Sequence, residues 1–178
     1  EQRFFDLLNV YQRTVDSIQH SIKPTSSSQS GKFAIQQWLS NTSLLRECGL
    51  RPELHIRAEL RNLWIDSNAI GMFDHYFRVV FRIASEAEAL LTDQHYRYIK
   101  LFRAQFSGYE LILLGFNLWL NDEGKKMLPL AEKYGLLKHL PTGHLRTELE
   151  KLHPKVFGRQ RAQSLQALSP IHQPEASL

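Results

Sequence analysis

One cysteine, Cys48, is all that the 178 residues contain. An intrachain disulfide is therefore excluded, and with it a fold stapled by disulfides. A lone thiol suits a reducing compartment. Long apolar runs are missing too. The longest, Leu111 to Leu120, is ten residues, contains Asn117 and stops at Asn121-Asp122-Glu123. A bilayer needs roughly 18–20. Charge of one sign is scarce: the formal net charge is +4. Residues 151–178 hold Lys151, Lys155, Arg159 and Arg161 against Glu175, which is +3 and leaves about +1 for residues 1–150. A body so close to neutral gives little support to a dedicated nucleic-acid groove. The basic end reads as a solvated terminus.

Several chemical signatures are absent as well. There is no glycine-rich phosphate loop, no Gly-x-Ser-x-Gly, no His-Glu-x-x-His and no cysteine pair. His139 and His144 are separated by Pro141 and Gly143, a poor ligand spacing. No cofactor and no metal is expected. Cys48 reads as a plain buried thiol.

What the chain does have is helical periodicity. Hydrophobic residues make up 43% and charged residues 22%, ordinary for a globular protein, and the length suits one domain that can bury a core unaided. Phe4, Leu7, Leu8, Tyr11, Val15 and Ile18 fall on one helical face. "KPTSSSQSG" (23–31) reads as a loop. Phe33, Ile35, Trp38, Leu39 and Leu45 restore helical spacing. "ECGLRPEL" interrupts it, with Pro52 placed to open the next helix, over 53–65. "DSNAIGMFD" is turn-rich, and the spacing predicts a helix over 73–91. Thr92 or Asp93 can cap a further helix, a long one over about 94–121, ended by "NDEGKK". Shorter helices come after it within "KKMLPLAEKYGLLKHL", turning at Gly135, and "TGHLRTELEKLH". No stretch alternates like a strand for long. The expected fold is an all-α bundle of five to seven helices, with the long central helix 94–121 packed antiparallel on helix 73–91. Residues 1–157 form the helical domain; 158–178 form a weakly ordered, basic, proline-containing tail.

The central helix poses the functional question. Advancing 100° per residue puts Arg103, Ser107, Glu110, Asn117 and Asn121 on one narrow stripe of an otherwise apolar rod. A buried charge there needs a partner, because an unpaired one costs several kcal/mol. The preceding helix offers His75, Arg78, Arg82 and Glu86 on one face, with Arg82 and Glu86 spaced to pair. The expectation is that His75 or Arg78 meets Glu110 or Asn117. The cluster is then either a helix-pairing device or a polar cleft.

The same segments resemble a known family. His75-Tyr76-Phe77-Arg78, followed by Arg103-Ala104-Gln105-Phe106-Ser107, Tyr109-Glu110-Leu111 and Asn117, is similar to the pattern of the phage abortive infection family, the AbiC-like bacterial anti-phage defence proteins. "FFDLLNVYQRTVDSI" (4–18) and the Gly-basic segment "GKFAIQQWL" (31–39) fit its beginning; "LPLAEKYGLLKHLP" (128–141) fits its end. Asp74 and Phe106 depart from the family's usual glycine and leucine. The resemblance implies a cytosolic helical domain in a bacterial antiviral protein, with membrane-spanning helices ahead of it in many members. A chain that begins at Glu1 inside an amphipathic pattern reads as a fragment of such a protein. His75, Arg78, Arg103, Ser107, Glu110 and Asn117 carry over as motif positions, none as catalytic. The implied action is sensing or signal relay through a protein partner, a phage component or another defence subunit, with self-association or scaffolding as an alternative.

A second alternative is an RNA-cleaving effector of the HEPN type. "RTELEKLH" supplies Arg146 to steady phosphate charge and His153 as acid or base, with six residues between them. The stretch lacks the Asn or His usual after that arginine, and it lies outside the family-like motifs.

Overall fold

Apolar spacing sets where the helices stand, and polar capping residues set where they stop. The computed structural model describes residues 2–20, 29–44, 55–90 and 94–158. Helix α1 (Gln2–Ser17) leads into a two-residue antiparallel pairing of β1 (Gln19–His20) with β2 (Gln29–Ser30). Then come α2 (Gly31–Asn41), α3 (His55–Asp66), α4 (Ala69–Leu90) and α5 (His95–Arg103). They are followed by α6 (Gly108–Leu120), α7 (Asp122–Lys125), α8 (Leu128–Tyr134), α9 (His144–Leu152) and a 3-10 turn, Pro154–Phe157. The protein is an all-α helical bundle, as the periodicity predicts.

Three expectations about its layout are overturned. The segment 94–121 is not one rod. It breaks at residues 104–107 because Ser107 is extended (φ −72°, ψ 164°) and caps α6. Ser107 Oγ accepts from the Glu110 backbone N–H while the Glu110 side chain accepts from the Ser107 N–H, a reciprocal capping box. A count of apolar positions continues across this break, but the backbone does not. With α7 added as a separate turn, nine α-helices stand among the described residues instead of five to seven.

The second correction concerns the start of α4, which lies at Ala69 and not at 73. Only Ser67 and Asn68 separate it from α3, because Asn68 takes a left-handed conformation (φ 55°) that its short amide side chain tolerates. The third concerns its partner. The extended antiparallel neighbour of α4 is α1: Arg3 reaches Glu86 at one end (3.0 Å), and Tyr11 stacks near Tyr76 further along (rings 6.2 Å apart). Helix α5 packs on α4, whereas α6 turns away to pack on α2, α3, α7 and α9.

Helix α6 is the centre. Every residue from Leu113 to Leu120 is buried, as are Glu110 and Leu111. Trp38, Trp64 and Phe73 form an edge-to-face chain beside it, and Phe116 from α6 lies tilted against Trp64 (6.3 Å). Edge-on contacts of this kind suit the aromatic quadrupole. Gly135 ends α8 in the left-handed region (φ 60°), as the sequence predicts. A Cβ there would lie 2.9 Å from Gly158 Cα, so the close crossing also demands glycine.

No helix among the described residues is long and apolar enough to cross a membrane. The segment around Cys48 and Pro52, residues 23–28 of the expected loop, the proposed caps Thr92 and Asp93, and residues 159–178 of the expected tail all lie outside the described residues.

Candidate functional site

The break that ends α5 also builds the polar centre of the molecule. Capping turns the Glu110 side chain back toward the 104–107 turn, and its carboxylate is fully buried. Oε2 accepts from the Ser107 N–H at 2.8 Å and lies 3.3 Å from Lys32 Nζ. Oε1 accepts from the Tyr11 hydroxyl and, at the outer limit of 3.5 Å, from that of Tyr76. Lys32 also donates to the Gln105 carbonyl at 2.5 Å. One carboxylate thus joins α1, α2, α4 and the start of α6.

A buried carboxylate is tolerable only with such donors, since neutralising partners must offset its lost hydration. The two phenols show the reciprocal effect. Burial, then the charge of Glu110, holds both the Tyr11 and Tyr76 hydroxyls well above the usual tyrosine range. Both therefore remain protonated donors. Lys32 keeps 40% of its side chain exposed and connects the group to the surface. Each Glu110 oxygen already faces two donors, which fills the roughly four lone-pair positions of a carboxylate. This arrangement fixes helices; it leaves no lone pair aimed at a substrate.

The expected residues separate on folding. Ser107 and Glu110 meet, but Arg103, His75, Arg78 and Asn117 do not join them. The break in the helix resets its phase, so Arg103 and Glu110 no longer share a stripe. The Arg103 guanidinium donates Nη1 to the Tyr134 and Gly135 carbonyls (3.3 and 3.1 Å), and burial draws its pKa below the usual arginine value. His75 is exposed. Arg78 is 71% exposed and pairs with Asp74 at 2.7 Å. Arg82 does pair with Glu86 at 2.7 Å, as its spacing predicts.

Asn117 is buried and accepts from the Asn121 side chain at 2.9 Å. The returning α7 presses on it so closely that a Cβ on Gly124 would lie 2.1 Å from the Asn117 carbonyl oxygen. Arg146 is held by the Leu140 carbonyl (2.5 Å), by Glu150 (2.8 Å) and over the Phe157 ring (4.8 Å). His153 Nδ1 lies 3.4 Å from Glu132. Among the described residues no group of three His, Cys, Asp or Glu side chains could hold a metal ion.

Sequence reasoning missed Tyr11, Lys32 and Tyr76. Each carried a signal: Tyr11 stands on the apolar face of α1, Tyr76 lies inside the His-Tyr-Phe-Arg motif, and Lys32 is the basic residue of the Gly-basic segment. A tyrosine on a buried stripe keeps a hydroxyl that must find an acceptor.

The fold and this site define an all-α bundle locked around a buried, fully hydrogen-bonded carboxylate. Residues 69–145 match the family model described as "Putative phage abortive infection protein". The matched stretch contains Tyr76, Ser107 and Glu110 but neither Tyr11 nor Lys32, so the resemblance noted over residues 4–68 falls outside it. No curated protein and no solved structure shows significant similarity to the chain. The family match supports a role in phage defence.

Proposed function

We propose that this chain is the helical domain of a phage abortive-infection protein, and that it senses or relays a signal through contacts with a protein partner. One observation carries the reading: within the stretch similar to the family, Tyr76, Ser107 and Glu110 are consumed in holding helices together. His75 and Arg78, of the same motif, stand exposed on α4. Motif residues that build an interior fix the shape of a surface, and those left outside are available to a partner. The partner is a phage component or a second defence subunit, with attachment to the inner membrane through a segment beyond this sequence. Arg146, half-buried and bonded on three sides, suits a packing role better than phosphate contact.

The test is phage plating on cells that express the full-length protein with His75→Ala/Arg78→Ala. The expected result is lost protection with undiminished protein level. Protection that survives this change, together with RNA cleavage abolished by His153→Ala, would overturn the reading in favour of a nuclease.

A further inference from the structure

Helix α4 divides cleanly into two sides. Advancing 100° per residue, Tyr76 shares its inner side with Phe73, Val80, Ile83 and Ala87, all buried. Ile70, Asp74, Arg78 and Phe81 all fall within about 60° of the opposite, outward direction. Ile70 and Phe81 are 41% and 40% exposed although both are large and apolar. Asp74 and Arg78 stand between them and bond each other at 2.7 Å, with 48% and 71% of their side chains exposed. An exposed pair of this kind contributes little by itself. It also leaves free most of what a carboxylate can accept and a guanidinium can donate. Arg82, on the same side, is already engaged with Glu86, which Arg3 also reaches.

The order of these four residues makes the face complementary to itself. From the N-terminal end of α4 it runs apolar, acid, base, apolar: Ile70, Asp74, Arg78, Phe81. Reversed, it runs apolar, base, acid, apolar. An antiparallel copy related by a two-fold axis at the level of Tyr76 sets Asp74 against the second copy's Arg78. The same operation sets Ile70 beside the second copy's Phe81, and each contact occurs twice. Two carboxylates and two guanidiniums then alternate around the axis, closed at either end by an apolar pair. A parallel copy would set Arg78 on Arg78 and Asp74 on Asp74, which like-charge repulsion forbids.

We propose that the outer face of α4 pairs antiparallel with α4 of a second copy of this chain, through Ile70, Asp74, Arg78 and Phe81. The inference rests on the reading of α4 as a contact surface and names the second defence subunit as another copy. The contact is isologous and closes as a dimer, so it does not propagate into a filament.

Sedimentation velocity of the full chain, up to about 300 µM, tests the pairing, because a contact between single helix faces is small and its dimer weak. The unaltered chain should reach a dimer. Asp74→Arg and Arg78→Asp, each alone, should raise the dissociation constant about tenfold or more by opposing like charges. An equal mixture of these two variants should regain the dimer, since only the mixed pair sets two arginines against two aspartates. Phe81→Ser should weaken association about tenfold, and no charge variant should rescue it. Circular dichroism should report an intact fold for each. The proposal is overturned if the chain stays monomeric across the range, or if the mixture associates no better than either variant alone. A monomer whose protection His75→Ala/Arg78→Ala still abolishes would discard the second copy and keep α4 as the surface for a foreign partner. A mixed dimer with protection that survives the double alanine change would keep the pairing and discard α4 as the signalling surface.

Discussion

Helix α6 buries two polar side chains, Glu110 near its start and Asn117 near its end, and they are satisfied in opposite ways. Glu110 draws its donors from α1, α2 and α4 as well as from its own cap. Asn117 is served locally, by Asn121 one turn on and by the close approach of α7. The difference follows from charge. A neutral amide needs a few ordinary hydrogen bonds, which the neighbouring turn can supply. A carboxylate in the interior needs several donors at once, and one short segment does not carry them. The charged residue therefore organises the tertiary structure, whereas the amide finishes a helix end.

Substitution at the two positions should separate these roles. Glu110→Ala strands Lys32, the Ser107 N–H and two phenols, and should destabilise by about 3–5 kcal/mol in urea unfolding. Asn117→Ala should cost about 1–2 kcal/mol. Equal losses would erase the distinction between the ends.

Alkali probes the Glu110 end alone. Tyr11 and Tyr76 have folded pKa values raised above the ordinary 10.0, so the unfolded chain releases those protons first. Their contribution is complete below pH 10 and falls as pH rises beyond it, by roughly 1.4 kcal/mol per unit for each phenol. Absorbance at 295 nm should show two of the six tyrosines ionising only together with unfolding. Free titration of all six in the folded state would refute the buried pair.

The smallest effect belongs to Lys32. Its side chain is 40% exposed, so solvent weakens the pairing, and Lys32→Met should cost about 1 kcal/mol. In the Glu110→Gln background the same change should cost less still. Additive losses would mean that the two side chains act independently.

Much of this arrangement was legible in the sequence. The face of α1, the buried Ile35, Trp38 and Leu39 of α2, the Gly135 stop and the Arg82–Glu86 pair follow from spacing and residue type, whereas Phe33, expected on the same face of α2, stands 53% exposed. So did the presence of a buried polar problem around Ser107 and Glu110. The break did not emerge from periodicity, because Phe102 and Phe106 before it and Leu111 and Leu113 after it preserve an apolar rhythm. Ser-x-x-Glu, the capping signature, was the better indicator. The identity of the partners was hidden for another reason. Arg78 carries the charge that an acid attracts, but the turn of α4 sends it and His75 outward and sends Tyr76 in. Helical phase decided the matter against formal charge.

Tyr11 and Glu110 are 99 positions apart in the chain. A bond of that span raises the contact order of the protein, and a higher contact order slows folding. It also sets a limit on modularity. Residues 69–145, transplanted alone, would bring the acid without Tyr11 or Lys32. Exchange between relatives that respects the boundary of the similar stretch would cut through the interaction that completes the interior. A viable chimera has to inherit the first two helices from the same parent.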